Sequence, residues 1–152
     1  MAEFTIRKAV AGDVPAIAPL FDAYRVFYDQ ESNPKLSEAF LRERLKNGES
    51  EVFVAEGSEG AIIGFVQLYP LFSSTSTPPG KFWVVNDLFV ADTMRKHGIG
   101  RALLERAERL ARDSGAVGLT LSTATDNLRA QRLYEEMGFR RDTVFFVYNR
   151  LF

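Results

Sequence analysis

The stretch from Asn86 to Leu104 narrows the choice of fold more than any other part of this chain. It opens on an apolar run, Leu88-Phe89-Val90, and passes through polar residues that include Arg95, Lys96 and His97. Gly98-Ile99-Gly100 follow, and there an apolar-periodic helix begins. A strand that enters a helix through a basic, glycine-bearing turn gathers several main-chain N–H groups around one point. The helix adds its own unpaired N–H groups and the positive end of its dipole, so the turn suits a phosphate. Glycine at 98 and 100 lets a phosphate ester approach the backbone, where a side chain would hold it off. Two familiar phosphate loops do not fit. A P-loop needs Gly-Lys-Ser/Thr after its second glycine, and Gly100 is followed by Arg101-Ala102. A dinucleotide fingerprint needs a third glycine where this chain has Leu103. A plain strand-to-helix turn built from small residues is the alternative at this point.

Composition removes other classes. With 152 residues the chain is read as a single domain, 1–152, large enough for a substantial core. Its formal net charge of −1 supplies no basic field, so no nucleic-acid partner is expected. No apolar run approaches the roughly 20 residues of a membrane span, and the start lacks a charged-then-apolar leader, so no membrane and a cytoplasmic location are expected. Cysteine is absent, which excludes disulfides, a thiol nucleophile and thiolate metal sites. The single histidine, His97, is a poor basis for a zinc site or a Ser-His-Asp triad, and no metal is expected.

Periodicity gives the element order. Phe4–Ala9 alternates as a strand, and Asp13 and Pro15 open a helix that runs to about Tyr28 with Ile17, Leu20, Phe21, Tyr24 and Phe27 on one side. Ser37 is the expected cap of a second helix bearing Phe40, Leu41 and Leu45. Strands follow at 51–55, 61–69 and 81–90, then the helix after Gly98, a strand at 117–122 and a helix carrying Ala130, Leu133, Tyr134 and Met137. The β-branched and aromatic run from Thr143 to Leu151 is expected to be a final strand. The order βααβββαβαβ predicts an α/β fold with a mixed central sheet and helices on both faces.

Two motifs carry a resemblance. Arg95-Lys96-His97-Gly98-Ile99-Gly100 resembles the Arg/Gln-x-x-Gly-x-Gly/Ala loop of the GNAT N-acetyltransferases, and 127–139 resembles their Asn-x-x-Ala-x-x-Leu/Phe-Tyr-x-x-x-Gly-Phe signature. Together, in a matching element order, they cover nearly the whole chain and imply the GNAT fold with acetyl-CoA as co-substrate. By this resemblance the backbone of Leu88, Phe89 and Val90 lies along the pantetheine and acetyl group. Lys96, His97, Gly98, Ile99, Gly100 and Arg101 offer N–H groups to the pyrophosphate. Arg95, Lys96 and Arg101 add charge, and Asn127 and Ala130 are expected beside the CoA. Tyr134 is implied as the general acid that protonates the departing thiolate, which suits a phenol that keeps its proton at neutral pH. On periodicity alone it is a core tyrosine, and Asn127 alone is a helix cap.

An amine acceptor must lose a proton, and Asp87 is the candidate base or an anchor for a cationic acceptor; a solvated strand-end charge is the plainer alternative. Period two places Asn86, Leu88 and Val90 on one face and Asp87 on the other. The resemblance puts the first helix at the acceptor mouth, so Tyr24, Tyr28, Asn86 and Asp87 are the candidate acceptor-binding residues, with Tyr69 and Phe72 as an opposite rim; ordinary helix-packing and loop residues are the alternative. The expected activity is transfer of acetyl to a primary amine of a small molecule, by direct attack through a tetrahedral intermediate. A protein lysine or N-terminus as acceptor, or a non-catalytic acyl-CoA-binding module, are the alternatives. The resemblance also implies a homodimer, and the aromatic last strand is a candidate edge for it.

Overall fold

Alternating apolar residues in the first half of the chain make a sheet that is covered on both sides. The computed structural model describes residues 3–152, in two compact units that divide after Ser122. The first unit contains β1 (Thr5–Lys8), α1 (Val14–Phe27), α2 (Pro34–Lys46), β2 (Glu51–Glu56), β3 (Ile62–Ser73), β4 (Gly80–Val90), α3 (Ile99–Asp113) and β5 (Gly118–Leu121). The strands stand in chain order. β1 to β4 are antiparallel neighbours, and β5 runs parallel to β4. A parallel neighbour requires a crossover, which α3 supplies.

Side-chain alternation assigns the faces. Val52, Val54, Phe65 and Phe89 form a buried cluster with Ile17 and Phe21 of α1 and Leu41 of α2. The intervening positions point the other way, toward α3. The Arg106 guanidinium lies 4.2 Å over the Phe53 ring, and a Cβ on Gly64 would sit 3.3 Å from Ile99. Gly64 thus allows α3 to press directly onto the sheet. A mixed sheet with helices on both faces is what the sequence led us to expect.

One residue breaks the simple alternation. Gln67 stands opposite Asp87 and Leu68 opposite Val85, so Asn86 is an extra residue, a β-bulge in β4. Val85 and Asp87 therefore face opposite sides of the sheet although they are two apart. Asp87 and Phe89 look toward α1. Trp83 looks toward α3, where its indole N–H donates to the Ser114 hydroxyl at 2.9 Å. Pairing between β4 and β5 stops at Val85 and Leu121, which leaves 86–90 without a strand on that side among the described residues.

Several local expectations need correction. Asn33, not Ser37, caps α2: its side chain accepts from the Leu36 N–H at 3.1 Å, and Pro34 fills the first helical position. Asp13 makes no capping bond to α1; it accepts from the Val10 N–H and pairs with Arg7. β3 continues to Ser73, past the expected end at Tyr69.

In the second unit, Thr123–Phe152, Asn127 caps α4 (Leu128–Glu136) by accepting from the Ala130 N–H at 3.2 Å. The strand expected over Thr143–Leu151 is not formed: residues 139–152 carry neither helix nor strand. Strand propensity acts only through a ladder partner. The amides of Val144 and Phe145 donate instead to the Asp142 carboxylate, at 2.8 and 3.1 Å, a local turn that competes with pairing.

Asp22, 7 % exposed on α1, closes the connection between α1 and α2. It accepts from the Ser32 hydroxyl at 2.6 Å, the Asn33 N–H at 2.7 Å and the Ser37 hydroxyl at 3.2 Å. The Ser32 hydroxyl first, then Asn33, Ser37 and the Arg25 charge, hold its carboxyl below the ordinary carboxylate range. Asp22→Ala strands these donors and is expected to cost about 3 kcal/mol in denaturant unfolding at neutral pH. Because the folded value is the lower one, the stabilisation is complete above the unfolded chain's carboxylate range and disappears as pH falls through the folded value. The gap between wild type and variant should therefore close in acid; a gap that widens there would contradict the assignment.

Candidate active site

The turn before α3 is held in a left-handed conformation at two places, Lys96 (φ 69°) and Gly98 (φ 78°). Only glycine adopts this without penalty, and a Cβ on Gly98 would meet nothing within 4 Å, so the space above the turn is open. No side chain caps α3. Among the described residues the N–H groups of Gly98, Ile99 and Gly100 have no hydrogen-bond partner. Ile99 meanwhile buries its side chain under the turn. The arrangement matches the chemistry of an anion site: open amides, a helix N-terminus and the cations Lys96 and Arg101 nearby in the chain. Arg95 is engaged by the protein itself, donating to the Val90 carbonyl at 3.3 Å, pairing with Asp92 at 2.8 Å and lying over the Phe89 ring.

The edge of β4 above this turn can be read from its bonds. Ala91 N–H donates to the Ile63 carbonyl at 2.9 Å, and the Phe89 carbonyl turns toward Gly64. Residues 89 and 91 thus direct their main-chain groups at β3. Leu88 and Val90, alternating with them, direct theirs at the opposite edge, where β5 has ended. Of the three positions expected along an acyl group, Leu88 and Val90 present main-chain N–H groups to that open edge, and Phe89 does not.

On the α1 side, the structure brings Tyr24, Tyr28, Asn86 and Asp87 together. The Tyr24 hydroxyl donates to the carbonyl of the bulged Asn86 at 3.0 Å, and its ring meets Tyr28 edge-on at 5.0 Å. Asp87 is 4 % exposed. Its carboxylate accepts from Gln67 Nε2 at 2.7 Å and from Asn86 Nδ2 at 3.2 Å, and Gln67 Oε1 accepts from the Ser50 hydroxyl at 2.9 Å. Burial pushes the Asp87 carboxyl above the ordinary carboxylate range, against the pull of Gln67, Asn86 and Tyr24. The Tyr69 hydroxyl is buried without a hydrogen-bond partner; burial and the Asp87 charge raise its pKa, so it keeps its proton. Phe72, named with it as a rim, stands exposed.

Sequence reasoning missed Ser50 and Gln67. The signal was present in Gln67, a lone polar residue inside the apolar run from Ile62 to Leu68. Its partner lies 17 residues away and is reached only through the register of β2 on β3.

In the second unit Tyr134 sits on α4, partly buried, with its ring edge-on to Phe139 at 5.9 Å. Asn127 fills the capping role described above, which occupies the Ala130 N–H.

An open strand edge beside an amide-rich helix N-terminus suits an extended ligand that carries an anion. The chain belongs to the acetyltransferase (GNAT) family, whose model matches residues 17–139, and it is an acetyltransferase. It is 47% identical to an uncharacterized N-acetyltransferase, YhfO, of Bacillus subtilis, over 94% of each chain. A probable acetyltransferase of Haemophilus influenzae is 37% identical over 66% of this chain and 68% of its own. Among solved structures, one of a probable acetyltransferase superposes with a TM-score of 0.88 at 38% identity, covering 97% of both chains. No helix among the described residues is long and apolar enough to cross a membrane.

Proposed function

We propose that the chain transfers acetyl from acetyl-CoA to a primary amine of a small molecule by direct attack, with Asp87 as general base and Tyr134 as general acid. The observation that carries the reading is the Asp87 carboxylate, buried with a raised pKa on the face of β4 that α1 covers. A base of this kind has little solvent to compete for the proton it takes. The amides at Gly98, Ile99 and Gly100, with Lys96 and Arg101, suit the diphosphate of CoA. The open N–H groups of Leu88 and Val90 suit the thioester oxygen, where charge develops during attack.

The chemistry balances with no further reagent. The acceptor first leaves its ammonium proton to solvent, and the free amine nitrogen attacks the thioester carbon; as the C–N bond forms, the nitrogen becomes strongly acidic and Asp87 takes its second proton. The C–S electron pair departs on sulfur, and the Tyr134 hydroxyl donates the proton that yields free thiol. Solvent then returns a proton to Tyr134 and removes one from Asp87. The aromatic rings of Tyr24 and Tyr28, close to a carboxylate, favour an acceptor with cationic character.

The test is free-thiol release from acetyl-CoA across a panel of small amines and lysine- or N-terminus-bearing peptides. Release on at least one small amine, with none on peptides, supports the reading. The reverse pattern overturns the acceptor class, and CoA binding with no release on any acceptor overturns the enzyme assignment in favour of a binding module. In the same assay Tyr134→Phe is expected to lower kcat about tenfold or more while acetyl-CoA affinity holds. An unchanged kcat removes Tyr134 from the mechanism.

A further inference from the structure

We propose that Ser50 and Gln67 are positioning residues for the base: Ser50 fixes the Gln67 amide so that its NH2 end always faces Asp87. This rests on the reading of Asp87 as base. An ionised carboxylate has only acceptors, so it requires the donor end of a neighbouring amide. Gln67 supplies it at 2.7 Å. That orientation turns Gln67 Oε1 away, in a side chain with no solvent exposure, and Ser50 Oγ provides its donor at 2.9 Å. Ser50 is itself buried. The three side chains form one line, hydroxyl to amide to carboxylate, on the face of the sheet that α1 covers.

The line has a consequence for proton affinity. With Ser50 in place, Gln67 stabilises the charged form of Asp87 and holds one carboxylate rotamer. Without the Ser50 hydroxyl, the amide is free to turn over. Its carbonyl end would repel the carboxylate but accept a hydrogen bond from the neutral acid, so the protonated form gains. Other groups facing this region are Tyr24 from α1, Asn86 in the bulge and Tyr69 from β3. Beyond Tyr69 lie Arg44 of α2 and Glu49, which pair with each other at 2.6 Å. A change at Ser50 leaves all of these in place.

The experiment is the pH profile of kcat/KM for wild type, Ser50→Ala, Ser50→Thr, Gln67→Met and Asp87→Asn. It uses acetyl-CoA and the small amine that gives the fastest thiol release. In Ser50→Ala the acid limb is expected to move to higher pH by about one unit, with the acetyl-CoA KM within about twofold of wild type. Gln67→Met, which removes the donor, should move the limb at least as far, and Ser50→Thr should restore it. Circular dichroism melts identify any variant that fails to fold; if Ser50→Ala does, Gln67→Met decides. An acid limb that disappears in Asp87→Asn but stays in place in the folded Ser50 and Gln67 variants overturns the relay alone. A limb that persists in Asp87→Asn below the amine's own ionisation range overturns the base assignment itself.

Discussion

Asp87→Asn is expected to lower kcat by about a hundredfold or more while the acetyl-CoA KM stays within about threefold. The substitution keeps the shape of the side chain. Its carbonyl oxygen can still accept from Gln67 Nε2, so the buried line of hydrogen bonds survives and the fold is not the variable. What disappears is a group that can take a proton. Steady-state kinetics over pH 5 to about 10 check both halves, since loss of the base also removes the acid limb assigned to it. A variant with more than a tenth of the wild-type kcat would sink the role and leave Asp87 as an acceptor anchor.

The second large effect is expected at Gly98. Gly98→Asp puts a carboxylate above the amides of the turn, where the diphosphate is proposed to lie. The acetyl-CoA KM is expected to rise about a hundredfold or more, and Gly98→Ala about tenfold. The left-handed backbone at φ 78° makes either change cost about 1 kcal/mol in stability. The added Cβ meets no neighbour, so neither variant should unfold the chain. The difference between the two isolates charge from bulk. Isothermal titration with CoA alone reads the same effect without turnover. Equal CoA affinity in wild type and Gly98→Asp would move the anion site elsewhere.

The features legible in the sequence were those written within a few residues of one another. The glycine turn, the amphipathic stripe of α3 and the hairpin from β2 to β3 all follow from local spacing, and with them the mixed character of the sheet. The features that escaped are set by register. Asn86-Asp87-Leu88 has the look of ordinary alternation, and only the pairing with Gln67 and Leu68 shows that one residue is surplus. Ser50 was unremarkable, and Gln67 only a lone polar residue in an apolar run, until the ladder set them side by side. Asp22 is one polar residue on a helix, and its donors come from the connection that follows, at Ser32 and Asn33, and from the start of α2, at Ser37. The aromatic run after Thr143 misled for the opposite reason. Composition announces an inclination to pair, but the pairing depends on a neighbour that composition does not supply.

The surplus residue in β4 has one more implication. Excising Asn86 would join Val85 to Asp87 in regular alternation, with Leu68 and Gln67 still across from them, and every remaining side chain would keep its side of the sheet. As masonry, then, the strand is complete without it. What would vanish is the carbonyl that Tyr24 grips and the amide resting on the carboxylate. The spare link ties the Tyr24 end of the first helix to the strand beneath it, and shortening the strand by that link should remove this tie while the apolar seat of the helix at Ile17 and Phe21 stays.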